Sequence, residues 1–328
     1  MPGVDTGGYT TLAPEEAFAV VGDETRIGIL QALGEAGERL PFTDLRERVG
    51  VRDPGRFNYH LNRLTDHFVR KTDEYYELTR AGERIVEAVL AGTVTSAPVV
   101  DRTTVDQSCY FCGAPVEVRY YQERLERYCT ECPGMWGSQE GKLGRLSLPP
   151  AGLQGRSVDE AARAAFTWQV LSMYAVGAGI CPRCSAPLER EVDLCMSHDA
   201  PGIDTADGLC EECGVRHAAR LVFRCPSCIF EGRGTLPIAF NSHPAMLAIL
   251  ANHGHSPIAP TSIADVQRVH SDYEEEILSR EPFVGRFTFT ADGDTLTVTV
   301  NDDLEVVETG LTRGRDDPDS EVASERDN

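Results

Sequence analysis

Three features of the 328-residue sequence predict a modular α+β protein. Apolar residues recur at helical spacing through roughly the first ninety positions. Ten of the eleven cysteines in the middle of the chain fall into CxxC pairs. Near the C-terminus apolar and polar residues alternate as they do in half-buried strands. These patterns divide the chain into a disordered start (1–11), a helical segment with a hairpin (12–93), a cysteine ribbon (104–147), a connecting helix (156–178), a β-module with two ligand sets (179–235), a small α+β unit (236–310) and a disordered acidic tail (311–328).

The first segment reads as helix, helix, helix, hairpin, helix. From Pro14 to Gly34, Phe18, Val21, Ile27, Leu30 and Leu33 lie near one helical stripe. Thr43 is placed to cap a short helix that ends at Val49 before Gly50, and Asp53-Pro54-Gly55 is a turn. Over 55–67, Phe57, Leu61 and Leu64 share one face. The opposite face carries Arg56, Asn58, Tyr59, Asn62 and Arg63, side chains that bond phosphates and base edges. His60 and Arg52 are counted with this candidate nucleic-acid set, and Arg70 and Lys71 join it from a hairpin whose turn is Asp73-Glu74. Thr79 caps a last helix to about Leu90.

Charge sharpens this reading. The formal net charge is −21, with 52 acidic against 31 basic residues. Lys71 and Lys142 are the only lysines, so the other 29 cations are arginines. A carboxylate-rich, lysine-poor surface suits a protein hydrated in concentrated salt. The source is therefore expected to be halophilic, and the fold is expected to be most stable at high salt. Global charge then says little about partners. Between positions 46 and 71, seven cations face three anions, a local charge of +4, whereas 12–93 as a whole carries −4. A basic patch in an acidic chain is the footprint expected of a duplex-binding surface.

The residues "DETRIGILQAL" (23–33), "GRFNYHLNRL" (55–64) and "YYELTRAGERI" (75–85) make this segment resemble the ArsR-type winged helix-turn-helix of haloarchaeal regulators. The resemblance covers about a quarter of the chain. It implies a DNA-binding repressor or activator, usually dimeric, so double-stranded DNA and a second copy of the chain are the expected partners. The segment contains no cysteine, so the thiol metal-sensing motif of the metalloregulatory members is missing. A winged helix can also serve as a protein-binding module.

The paired cysteines are Cys109/Cys112, Cys129/Cys132, Cys181/Cys184, Cys210/Cys213 and Cys225/Cys228, and Cys195 pairs with His198. Six two-ligand knuckles supply twelve ligands, enough for three tetrahedral Zn²⁺ sites. An odd cysteine count argues against disulfides, and five pairs exceed what a redox motif needs. The first four cysteines form a ribbon whose strands are expected at 116–121 and 125–128. For the remaining eight ligands three pairings are open. Ten residues separate Cys184 from Cys195 and eleven separate Cys213 from Cys225, which favours nesting: Cys181, Cys184, Cys225 and Cys228 at one end of a strand pair, and Cys195, His198, Cys210 and Cys213 at the other. Sequential pairing and a cross-brace are the rivals. Saturated sites of this kind leave no position for water, so structural rather than catalytic metal is expected.

Segments 92–104 and 147–155 read as linkers. Ser157 and Glu160 form a capping box for a helix to about Tyr174, with Ala161, Ala165, Trp168 and Leu171 on its apolar side, suited either to packing on the ribbon or to a dimer contact. A helix follows at 242–254, and His243, His253 and His255 fall at its ends. Asp292-Gly293 marks a hairpin between Phe287/Phe289 and Leu296/Val298/Val300, and 304–307 is expected to add a strand.

No phosphate-binding glycine loop, GxSxG or HExxH motif is present, so no enzyme is expected. No apolar run has membrane-spanning length and no leader pattern opens the chain, so a cytoplasmic protein without membrane contact is expected. The leading expectation is a sequence-specific transcriptional regulator with structural zinc. The alternative is a factor similar to archaeal transcription factor E, working on the transcription machinery rather than on an operator.

Overall fold

The computed structural model describes residues 12–136, 140–198 and 209–314. The expectations for 1–11 and for 315–328 fall outside these. The chain is mixed α+β and divides into two compact units, Met1–Ser96 and Ala97–Asn328. Among the described residues no helix is long and apolar enough to cross a membrane.

The first unit runs α1 (Pro14–Val21), α2 (Glu24–Ala36), β1 (Leu40–Pro41), α3 (Phe42–Val49), α4 (Pro54–Leu64), β2 (Val69–Thr72), β3 (Tyr75–Leu78) and α5 (Arg80–Leu90). The three strands form an antiparallel sheet in the order β1-β3-β2. The single helix expected over 14–34 is two helices. Gly22 ends α1, and the Asp23 carboxylate caps α2 by accepting the Arg26 N–H at 3.1 Å. The break resets the helical phase, so Val20 is buried and Phe18 is 78 % exposed. Helix α3 starts at Phe42 rather than after Thr43, and Gly50 ends it with a left-handed φ of 77°. Asp53 caps α4 through the Gly55 and Arg56 N–H groups. Ile29, Leu30, Leu45, Phe57, Leu61 and Leu64 fill the core.

The segment Leu78-Thr79-x-x-Gly82 has a direct physical reading. Thr79 Oγ1 donates to the His67 carbonyl at 2.6 Å and accepts the Gly82 N–H, so one hydroxyl ties the hairpin to α5. A Cβ at Gly82 would lie 2.1 Å from the Phe68 carbonyl oxygen. That neighbour is backbone and cannot swing aside. Gly82→Ala should therefore lower the stability of this unit by about 3 kcal/mol, at the upper end for overpacking. Urea unfolding followed by circular dichroism checks this; a loss below about 0.5 kcal/mol would show the approach to be relaxed.

Among the described residues the second unit holds three antiparallel sheets. The first is β4 (Val100–Ser108), β5 (Pro115–Tyr121), β6 (Arg124–Cys129) and β7 (Lys142–Ser147), paired in sequence order. The expected two-stranded ribbon is thus the centre of a four-stranded sheet, and β4 occupies part of the expected linker 92–104. After α6 (Val158–Gly177), the second sheet is β8 (Glu189–Leu194), β9 (Ala219–Arg224) and β10 (Glu231–Thr235), with β9 central. Then come α7 (Pro244–Asn252), α8 (Ile263–Ser271) and a four-stranded meander, β11 (Glu274–Arg280), β12 (Phe283–Ala291), β13 (Asp294–Asn301) and β14 (Val306–Thr312). The turn between β12 and β13 is Asp292-Gly293, both at positive φ. Strand β14 runs to Thr312, into the region expected as tail.

These sheets share cores rather than standing as separate beads. Helix α6, whose capping box forms as expected, buries Ala161, Ala162, Ala165 and Phe166 on the first sheet. Its Val176 enters a second core with Leu221 and Phe223 of β9 and Phe287 and Phe289 of β12. Helix α8 does the same with Ile263 and Val266 on one side and Val269 on the other. The expected stripe of α6 is only half right: Trp168 is 53 % and Leu171 45 % exposed.

Lys142, one of the two lysines, is held inside the first sheet. Its Nζ lies 2.7 Å from Glu126, which also accepts from Arg119 and the Tyr128 hydroxyl at 2.7 Å. Burial acts to raise the Glu126 carboxyl, but these three donors outweigh it and hold it at about 2. A carboxyl depressed this way contributes stability that is present above its ordinary value of 4.5 and is lost as pH falls toward 2. Glu126→Gln should remove that part of the acid dependence. It also leaves the Lys142 ammonium without its counter-charge, at a cost of about 3 kcal/mol at neutral pH. Unfolding curves at pH 7 and pH 4 measure both; an unchanged difference between the two would contradict the assignment.

Candidate metal centres and nucleic-acid face

Turns at the strand ends position all twelve predicted ligands. Cys109 and Cys112 lie between β4 and β5, Cys129 ends β6 and Cys132 follows it. Cys181 and Cys184 precede β8, and Cys225 and Cys228 join β9 to β10. Cys195 and His198 leave β8, while Cys210 and Cys213 lead into β9. Because β8 and β9 pair antiparallel from Glu189↔Arg224 to Leu194↔Ala219, one set gathers at each end of the ladder. This is the nested arrangement, and the sequential and cross-braced pairings are ruled out.

Four knuckles repeat one hydrogen bond. The N–H of the first cysteine donates to the carbonyl five residues on: Cys109 to Ala114, Cys181 to Ala186, Cys210 to Val215 and Cys225 to Phe230, at 2.8–3.1 Å. In three of them the N–H four residues on returns to the first cysteine's carbonyl, and that residue, Gly113, Ser185 or Gly214, has a positive φ. Glycine adopts this conformation without steric cost. Backbone amides point at sulfur: the Ser227 N–H lies 3.4 Å from Cys225 Sγ, and in the fifth knuckle the Cys132 and Glu131 N–H groups lie 3.3 and 3.4 Å from Cys129 Sγ.

Three quartets result: Cys109/Cys112/Cys129/Cys132, Cys181/Cys184/Cys225/Cys228 and Cys195/His198/Cys210/Cys213. Within each, the ligand atoms lie within 4.8 Å of one another. Sulfur pairs are 3.4 to 4.0 Å apart, too far for disulfides. A tetrahedral ion bound at about 2.3 Å by thiolates sets its sulfurs roughly 3.8 Å apart, so the donor sets fit. His198 Nδ1 lies 3.6 Å from Cys213 Sγ, and its Nε2 is 2.9 Å from the Arg216 carbonyl. A carbonyl can only accept, so Nε2 carries the proton and Nδ1 is the free ligand atom.

The electrostatics suit a bound cation. Burial works to raise the Cys129 and Cys181 thiols, yet backbone N–H groups outweigh it, and Cys181 is drawn down to about 7. Cys184, which the Ala186 N–H acts to lower, is pushed up to about 12 by Cys225 and its other thiol neighbours. Four sulfurs this close cannot all ionise unless a positive ion sits among them.

The first and third quartets are neighbours. Arg216, three residues past Cys213, donates to the Gly134 carbonyl at 2.8 Å and lies 4.1 Å over the Phe111 ring, inside the first knuckle. Trp136 and Val215 form a β-bridge. No sequence spacing signals this approach of the two quartets.

The candidate nucleic-acid residues lie in the first unit. Arg52, Arg56, Asn58, Tyr59, Asn62 and Arg63 are all exposed, on α4 or just before it, while Phe57, Leu61 and Leu64 are buried on the other side. Tyr59 is 61 % exposed. His60 is a correction. It is 8 % exposed, and its Nδ1 lies 3.2 Å from the Asp23 carboxylate, tying α4 to the start of α2. Its position three after Phe57 carries it round to the core side. In the hairpin, Arg70 and Lys71 are exposed, but Arg70 is bonded to Glu77 across the strands at 2.9 Å. His243 caps α7 by accepting the Ala245 N–H, and His253 faces Asp292 and Asp294, so neither joins a ligand quartet.

Residues 14–89 match a family model described as a domain of unknown function (DUF7347). No curated protein and no solved structure matches the chain. Residues 106–306, which take in all three quartets and most of the second unit, match a second model, a domain of unknown function (DUF7351). That match spans more than half of the sequence, and the chain belongs to the DUF7351 family.

Proposed function

We propose that this protein is a sequence-specific, double-stranded-DNA-binding transcriptional regulator whose three metal sites are structural zinc. The observation that carries the reading is the outer face of α4: five polar, nucleic-acid-compatible side chains on one exposed surface, opposite the buried Phe57, His60, Leu61 and Leu64, in a stretch of local charge +4 within a chain of −21. An exposed helix following a short helix and a turn suits the major groove, with its N-terminal half on base edges and the hairpin on the backbone. Arg56, Asn58, Asn62 and Arg63 would meet bases or phosphates, Tyr59 the sugar–phosphate edge, Arg52 and Lys71 the backbone. Arg70 would exchange Glu77 for a phosphate.

Zinc is the metal that four thiolates, or three thiolates and an imidazole, select in tetrahedral geometry without redox demands. With every donor position filled by the protein, the ion would crosslink strand ends and leave no site for water. Metal analysis of the purified chain should return three zinc ions per molecule, with the cysteines protected from alkylation until a chelator is added. Two or fewer ions, or a metal with an exchangeable water, would contradict the structural role.

The DNA reading is tested by mobility-shift competition. A duplex from the chain's own genomic surroundings should resist a large excess of mixed-sequence DNA. Equal competition by both, together with co-purification with RNA polymerase, would instead place the chain beside the general transcription factors.

A further inference from the structure

We propose that a trough in the second unit binds single-stranded nucleic acid, separately from the duplex site on the first. The trough lies between α6, the edge of β7 and the β8-β9-β10 sheet, and has a volume of about 850 Å³. Trp168 lines it with roughly half of its surface in solvent, beside an equally bare Leu171 one turn on. An indole left this open is a ready surface for stacking.

The charges around it depart from the rest of the molecule. Five arginines and three glutamates line the trough, a local +2 in a chain of −21. Arg224 is taken up by Glu189 at 2.8 Å, with Glu231 as its other cross-strand neighbour. Arg190 donates to the Gly177 carbonyl at 2.6 Å, at the C-terminal end of α6, where a cation is favoured. The other three are exposed and come from three different elements: Arg145 from β7, Arg183 from the Cys181–Cys184 knuckle and Arg233 from β10. None of the three has an ion-pair partner among the described residues. Arg183 instead lies 5.8 Å over the Phe230 ring.

Unpaired guanidinium groups spaced around an exposed aromatic ring match a ligand that carries regular negative charge and planar rings together. A single strand supplies both: phosphates for Arg145, Arg183 and Arg233, and an unstacked base for Trp168. A duplex keeps its bases inside and offers Trp168 nothing to stack on. An acidic peptide supplies the charge but leaves the indole without a planar partner.

The test uses the intact, metal-loaded chain at the lowest salt at which circular dichroism shows it folded. The probes are a fluorescently labelled dT12 oligonucleotide and a labelled poly-aspartate peptide of equal charge. Anisotropy should show dT12 binding that Trp168→Ala weakens roughly tenfold or more and Trp168→Phe partly restores, since stacking on one base is worth that much. Arg145→Ala with Arg233→Ala should lower the log–log salt slope by about 1.4, at about 0.7 for each phosphate that no longer meets a guanidinium. Arg63→Ala, which addresses the duplex site, should leave dT12 binding unchanged, so failure of either site is seen separately. The proposal is overturned if dT12 does not bind, if the trough variants leave its affinity unchanged, or if poly-aspartate binds as tightly with the same dependence on Trp168.

Discussion

Cys225→Ser is expected to release one zinc of three and to unfold one end of the β8-β9 ladder while the other end keeps its metal. The geometry makes this selective. Cys225 shares a quartet with Cys181, Cys184 and Cys228, and β9 separates it from Cys210 and Cys213. Alkylation should therefore expose Cys181, Cys184 and Cys228, while Cys195, Cys210 and Cys213 stay protected. The expected loss of stability is large, because binding of a structural zinc contributes on the order of 10 kcal/mol to the fold that it closes. Only part of that is felt here, since Leu221 and Phe223 remain tied into the shared core. Mass spectrometry of alkylated peptides reads the outcome directly. Deprotection of Cys210 and Cys213 to the same extent would contradict two independent ends.

Arg63→Ala is expected to weaken operator binding about tenfold or more at matched salt, with the unfolding curve of the first unit unchanged. Arg63 is exposed, makes no ion pair among the described residues, and lies on the outer face of α4 beside Asn62 and Tyr59. A bidentate arginine contact to a base is worth about 1–3 kcal/mol of discrimination, and a phosphate contact less. The two roles separate experimentally. A base contact relaxes sequence preference at one position, whereas a phosphate contact lowers affinity for all sequences and reduces the salt slope. In concentrated salt phosphate contacts are screened, so there the base-contact outcome is the expected one. Unchanged affinity would remove α4 from the interface.

How much of this was legible in the sequence depends on the range of the interaction involved. The knuckles were fully legible because the ligands are local pairs and the turn chemistry at Gly113 and Gly214 is local too. Nesting could be favoured because equal spacings imply equal strand lengths, but only the register of β8 against β9 decided it. Periodicity found the apolar face of α4, and the Thr79 cap placed α5. It misread Phe18 because the Gly22 break resets the phase, and it misread His60 because a polar residue on a helix says nothing of a carboxylate waiting from another helix. Helix α8 was missed because the cores it joins are built from residues far along the chain, and strands β4, β10 and β11 because they are sheet edges with almost no buried side chains to mark them. Trp168 was assigned to an apolar stripe but is about half exposed, so the trough it lines had no sequence signature. The Glu126–Lys142 pair likewise depends on register across β6 and β7.

The central claim is that the outer face of α4 reads a specific duplex sequence. Selection of bound duplexes from a randomised pool by the intact, zinc-loaded chain tests it most directly. One short motif should be enriched, in two inverted half-sites if the chain binds as a dimer, with Arg63→Ala relaxing one position of it. A pool that remains random after repeated rounds, at a salt concentration where the chain is folded and its three metals are retained, would contradict it.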